Sequence, residues 1–298
     1  MAASELTRRV AVAAVGVPLA VVVIHQGGWV LGIVLAALAA LGTDELYRMG
    51  ARNGGRAFVL AGVVLSALLV LFATLWRFPS LALPPSWSLL FAATLLLFAL
   101  AIRARGVEGR PLEAVSLTLF GAVLTGGAFA YAVFLRNLAS AAGADENAWL
   151  GASLVAFPIT LAWIGDTCAY FGGRRWGRRK LMPGVSPGKT VEGAVAGLIG
   201  TVLIAVVYAT FVFERWHGLP IGPLEGAIVA LLVSPAAQIG DLAESLLKRQ
   251  AGVKDSGRLF PGHGGILDRF DSLFFAVPVA YWCLAGLLPL WVEGLPWH

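Results

Sequence analysis

Between Ser245 and Asp271 the chain reads SLLKRQAGVKDSGRLFPGHGGILDRFD, and charge gathers here as nowhere else. Asp268 and Asp271 are three residues apart, so on a helix their carboxylates share a face and can share a cation. The PGHGG run before them makes a turn and leaves backbone N–H groups at a helix start, which suits phosphate. Acids in a helix's first turn are ordinarily caps that offset the macrodipole. Here they stand at the mouth of an apolar segment with Arg269 between them, and a metal or phosphate role is the better reading.

Just upstream, Asp241, Glu244, Ser245 and Lys248 recur at i, i+3, i+4 and i+7, a polar stripe on an otherwise apolar helix. Simple neutralisation of Asp241 by Lys248 would explain part of it. Two acids facing a bundle interior more naturally line a polar cavity, which Pro235 helps open by freeing a carbonyl. Asp166, in WIGDTCAYFGGR, is an isolated acid deep in another apolar segment. It reads as a metal ligand, as the partner of one, or as half of a buried salt bridge with an Arg of the next loop.

Ser186-Pro187-Gly188-Lys189-Thr190 looks like the end of a phosphate loop, but Pro183 stands where that pattern wants Gly. A helix start is the better account, with Ser186 as N-cap and Pro187 at the first helical position. Lys189, Thr190 and Glu192 then project from the first turn toward phosphate. His263, between two glycines, suits a hydrogen bond to phosphate or to an Asp more than a general-base role. No Cys/His set has zinc-ligand spacing. The basic run Arg174 to Lys180 reads as an anchor to anionic lipid, with a grip on a polyphosphate as the sharper alternative.

These residues need elements to hold them, and composition says what kind. Of 298 residues 58% are hydrophobic and 13% charged, and the mean hydropathy is +0.81. A soluble domain carries roughly twice that charged fraction. The chain reads as an all-α, polytopic integral membrane protein. Apolar segments near 10–25, 28–47, 57–77, 87–103, 111–135, 149–171, 189–213, 224–247 and 270–292 give about nine transmembrane helices.

With the N-terminus inside, 19 of the 22 Lys and Arg fall in inner segments, and only Arg77, Arg136 and Arg215 fall outside. That asymmetry predicts N-terminus inside, C-terminus outside, and a polar site on the cytoplasmic face of the inner (plasma) membrane. Cys168 and Cys283 read as buried thiols rather than a disulfide. Residues 1–140 read as transmembrane scaffold, with Asp44 and Glu45 their only notable acids. Residues 141–298 read as the catalytic region. No internal repeat is evident, and nothing points to nucleic acid.

The Ser245–Asp271 stretch resembles the signature of the phosphatidate cytidylyltransferases, or CDP-diacylglycerol synthases. It matches at Ser245, Lys248, Arg249, Lys254, Asp255, His263, Gly264, Gly265, Asp268, Arg269 and Asp271. GDTCAYFGGR, SPGKTVEG and QIGDLAES resemble that family's C-terminal half in the same order, so the likeness is firm over about 160–280. The resemblance implies that CTP and phosphatidic acid give CDP-diacylglycerol and pyrophosphate. It implies Mg²⁺, a second, monovalent cation such as K⁺, and a homodimer among membrane lipids. It implies metal ligands at Asp241, Asp268 and Asp271, with Asp166 nearby, and phosphate contacts from Lys189, Lys248, Arg249, Lys254 and Arg269.

The residues support that chemistry on their own terms. Both reactants are polyanions, so the barrier is bringing negative charges together, which cations and positioning lower. Two competitors are weaker. A CTP-dependent polyprenol kinase would share the acids and basic loops without this signature. An ion-coupled transporter would spread polar residues through mid-membrane spans of both halves.

Overall fold

A computed structural model gives the structure of the chain and describes residues 3–75, 85–141, 147–259 and 264–287. Runs of Leu, Ala and Val fold as helices that continue through Pro18, Pro158, Pro235 and Pro278 and are joined by short loops. The helices are α1 (Ala3–Gln26), α2 (Gly28–Arg52), α3 (Val59–Leu75), α4 (Pro85–Ala104), α5 (Pro111–Ala122), α6 (Ala128–Ala141), α7 (Ala148–Trp176), α8 (Val191–Tyr208), α9 (Pro223–Gln250), α10 (Leu267–Phe270) and α11 (Leu273–Leu287). A π-helical turn, Val123–Gly127, joins α5 to α6, and another, Ala209–Trp216, extends α8.

Among the described residues, six helical stretches are long and apolar enough to cross a membrane. They are Gly28–Arg52, Pro111–Ser140, Ala148–Trp176, Val191–Trp216, Pro223–Gln250 and Leu267–Leu287. Ala14–Gln26, Val59–Leu75 and Ser88–Ala104 are shorter apolar helices. With six such stretches and bonds kept within helices, the chain is an integral membrane protein of the all-α class.

The chain divides into two compact units. The first takes Met1–Phe134 together with Leu247–Phe270, and the second takes Leu135–Leu246 with Asp271–His298. The first unit's core includes Leu65, Leu69 and Ala122, packed against Leu89, Leu90, Ala93 and Leu119. Thr43 and Thr125 hydrogen-bond across α2 and the π turn, and Tyr47 donates to the carbonyl of Thr118.

In the second unit, α7 and α8 pack along small residues. A β-carbon at Gly197 would meet Ala169, and one at Gly172 would meet Ala196. Such stripes let helix backbones approach closely where lipid gives no hydrophobic drive for association. Phe157, Tyr208 and Phe213 also pack together, edge-on or tilted, with ring centroids 5.0–5.2 Å apart. Cys168 and Cys283 are both free thiols.

One expected helix start is corrected. Ser186 is not an N-cap, and Pro187 does not open a helix. Instead Ser186–Thr190 is a strand, β2, paired antiparallel with β1 (Lys180–Met182). Lys180 sits opposite Thr190, and Met182 opposite Ser186. The helix begins four residues later, with Thr190 as N-cap accepting from Gly193 N at 3.1 Å. Thr is as able a cap as Ser, while Pro187 has no N–H to lose at a strand edge and Gly188 favours no helix. The Glu192 carboxylate closes the hairpin base by accepting from Arg178 N at 2.9 Å and Arg179 N at 3.2 Å.

Candidate active site

The first unit brings the signature loop onto the C-terminal part of α2. Helix α9 ends with Gly252 in the left-handed region (φ 65), its N–H bonded back to Arg249 O and that of Val253 to Lys248 O. This close leaves Lys248 in the last turn, where a cation also suits the helix dipole. Lys248 Nζ donates to Asp268 Oδ1 at 2.8 Å. The other oxygen, Oδ2, accepts from Ser256 N, Ser256 Oγ and Gly265 N, each at 2.8 Å. Asp268 is therefore engaged on both oxygens, and its side chain is only 6% exposed.

Glu45 completes this knot. It sits near the C-terminal end of α2 and is buried. Its Oε1 accepts from Ile266 N at 3.0 Å, and its Oε2 from Leu267 N at 3.1 Å and Ser256 Oγ at 3.0 Å. Gly264 turns the chain with φ 80, and a β-carbon there would fall on the Asp268 carboxylate. One at Gly265 would strike Glu45. Arg249, Lys254, Asp255 and Arg269 are exposed. His263 lies outside the described residues.

The second unit gathers the remaining acids. Lys189, at the end of the hairpin, forms an ion pair with Asp241 of α9, each side chain a little over one-quarter exposed. Asp166 of α7 lies within electrostatic reach of Asp241, Asp271 and Lys189. Asp271 Oδ1 accepts from Ser272 N at 2.6 Å. Asp166 also lines a small cavity of about 10 Å³ with Thr201, Ser234 and Gln238, room for a single water. Gln238 Nε2 donates to Ala194 O at 3.2 Å. Glu244 is buried, and Ser186 and Thr190 lie on β2, Thr190 spending its hydroxyl on the cap.

Each unit so holds part of the expected set. Asp268, Lys248, Gly264 and Gly265 come together in the first, and Asp166, Lys189, Asp241 and Asp271 in the second. A wider opening of about 430 Å³ in the first unit is walled by Leu46, Met49, Leu117, Phe120, Leu247 and Ala251. It contains none of the candidate side chains.

Two residues of the knot, Ser256 and Glu45, had no role assigned from sequence. Ser256 lies within the signature stretch, and its short polar side chain in a Gly-flanked loop was a readable sign of local bonding. Glu45 had one signal, an acid in an apolar helix, which is costly unless partnered. Nothing in the sequence pointed to a partner more than two hundred residues away.

Among the described residues, no group of three or more His, Cys, Asp or Glu side chains stands ready to hold a metal ion. The donor chemistry nonetheless suits a hard divalent cation, since the Asp166 carboxylate lies within electrostatic reach of those of Asp241 and Asp271.

Residues 7–287 match the family model described as the cytidylyltransferase family. The chain is 32% identical over 301 residues to a phosphatidate cytidylyltransferase of Synechocystis sp., covering 95% of this chain and 98% of that protein. It is 41% identical over 173 residues to a phosphatidate cytidylyltransferase of Bacillus subtilis, covering 58% and 59% of the two chains. Against a protein of the same name from Staphylococcus saprophyticus it is 46% identical over 132 residues, 43% of this chain and 48% of the other. With a match over nearly its whole length, and with Lys248 and Asp268 joined in the loop that carries its most distinctive residues, this chain belongs to the cytidylyltransferase family.

Proposed function

We propose that the protein is a phosphatidate cytidylyltransferase, which converts CTP and phosphatidic acid to CDP-diacylglycerol and pyrophosphate. The observation that carries this reading is the likeness to the Synechocystis enzyme along 95% of the chain. An oxygen of the lipid phosphate attacks the α-phosphorus of CTP. The α–β phosphoanhydride bond breaks, and pyrophosphate leaves with its electron pair.

The chain's own residues lower the repulsion between these two polyanions. Lys189, Lys248, Arg249, Lys254 and Arg269 hold phosphates, with Ser186, Thr190, Asp255, His263 and the backbone of Gly264 and Gly265 lining the substrates. Lys248 and Lys189 are already fixed in place by Asp268 and Asp241, so little side-chain freedom is lost when substrate arrives. Mg²⁺, when bound, would neutralise charge developing between the attacking and leaving oxygens. Asp241 and Asp271, with Asp166, would hold it, a monovalent ion such as K⁺ alongside. Asp268, which the family resemblance also makes a metal ligand, has both carboxylate oxygens bonded, to Lys248, Ser256 and Gly265.

The protein works in the inner (plasma) membrane with nine spans, its site facing the cytoplasm, where CTP is made. The distribution of Lys and Arg supports this orientation. Family resemblance supports a homodimer. The deciding assay combines purified protein, labelled CTP, phosphatidic acid and Mg²⁺. Labelled CDP-diacylglycerol with release of pyrophosphate is expected. A lipid carrying only the γ-phosphoryl group, or no lipid product, would overturn the assignment.

A further inference from the structure

We propose that Glu45 is a positioning residue for nucleotidyl transfer, holding in place the loop that carries Asp268. The proposal rests on the function assigned above. Glu45 lies on an apolar helix and is only 9% exposed, a setting in which a carboxylate is costly unless its oxygens are bonded. Both oxygens are bonded, and all three donors belong to one distant segment. Ile266 N and Leu267 N are the peptide groups that open α10, at 3.0 and 3.1 Å. Glu45 thus does for that short helix what an N-cap does, but from a helix 221 residues earlier in the chain.

The third donor carries the effect to Asp268. Ser256 Oγ lies 3.0 Å from Glu45 Oε2 and 2.8 Å from Asp268 Oδ2, and its single proton serves one at a time. Ser256 N also donates to Asp268 Oδ2. The two carboxylates therefore set one another's place through one residue. The packing permits no slack. A β-carbon on Gly42 would press on Ile266, and one on Gly265 would fall on the Glu45 carboxylate. Charge-assisted bonds to backbone N–H are short, directional and hard to replace by an amide, which offers a donor where an acceptor is needed.

The test compares full-length wild type with Glu45→Gln and Glu45→Ala in the same detergent or bilayer. Three quantities are read: kcat and KM for CTP, the melting midpoint, and hydrogen exchange of a peptide covering 264–270. Glu45→Gln keeps the shape of the side chain, so a merely space-filling role predicts no change. Expected instead are a folded protein, a kcat about 10–100-fold lower, a KM for CTP within about twofold of wild type, and faster exchange at Ile266 and Leu267. Wild-type kcat in both variants, unchanged exchange at those amides, or a loss fully explained by less folded protein would each overturn the proposal.

Should neither variant fold, Ser256→Ala removes the hydroxyl link and keeps the backbone bond to Asp268. A smaller kcat loss at unchanged KM is then expected, and no loss overturns the link. Wild type that makes no CDP-diacylglycerol would defeat the functional reading instead, and the exchange measurement would then decide the role of Glu45 alone.

Discussion

Lys248 and Asp268 form an ion pair at 2.8 Å between the last turn of α9 and the short helix α10, with side chains 14% and 6% exposed. The ammonium holds one carboxylate oxygen, while Ser256 and Gly265 hold the other. Such a pair contributes little net stability, because desolvation offsets most of the attraction, but losing one partner is costly. Its use is placement. On the proposed function, a phosphate arriving at this loop would meet a lysine already aimed by Asp268.

Asp268→Asn is expected to lower CDP-diacylglycerol formation at least about 100-fold, in the range seen when a charge-stabilising group is removed. The amide nitrogen would also face the Ser256 or Gly265 N–H groups, costing about 1–3 kcal/mol of stability. Turnover and melting of the purified variant check both. Substantial residual activity in a folded variant would remove Asp268 from the catalytic set.

Chelation of Mg²⁺ is expected to stop turnover, and added Mg²⁺ to restore it. The measurement is lipid product formed against free Mg²⁺ concentration. Full activity in the presence of chelator would end the metal proposal for Asp241 and Asp271.

Gly264→Ala meets two obstacles at once, a backbone at φ 80 and the Asp268 carboxylate where the new methyl must go. A cost of about 1–3 kcal/mol is expected, seen as a lower melting midpoint. Gly184 is the comparison, because nothing lies within 4 Å of its missing β-carbon. Gly184→Ala should stay within about 0.5 kcal/mol of wild type.

Thr190→Ala removes the cap of α8 and should cost about 0.5–2 kcal/mol. Ser186→Ala, on the preceding strand, should change stability by less than about 0.5 kcal/mol. Thermal melting of the pair decides where the helix starts. The reverse order would restore Ser186 as the cap.

A tag on the C-terminus should be reachable from outside intact cells, by the count of nine spans and the charge asymmetry of the loops. Labelling with a membrane-impermeant reagent reads this directly. Labelling only after the cells are opened would overturn the orientation.

Sequence alone determined the class of this protein, because hydropathy acts locally: a run of about twenty apolar residues is helical in a membrane wherever the rest of the chain goes. The family resemblance also singled out Lys248, Gly264, Gly265 and Asp268, and folding brings these four together. Local signals were less able to place the start of α8. Ser186 and Thr190 are both good caps, and pairing with Lys180–Met182 chose between them. Only the tertiary structure decided that Lys189 neutralises Asp241, that Lys248 neutralises Asp268, and that Glu45 holds the signature loop. A carboxylate's partner is set by which backbone N–H groups and ammonium ions folding brings within about 3 Å, and over two hundred residues of chain no spacing rule reaches that far.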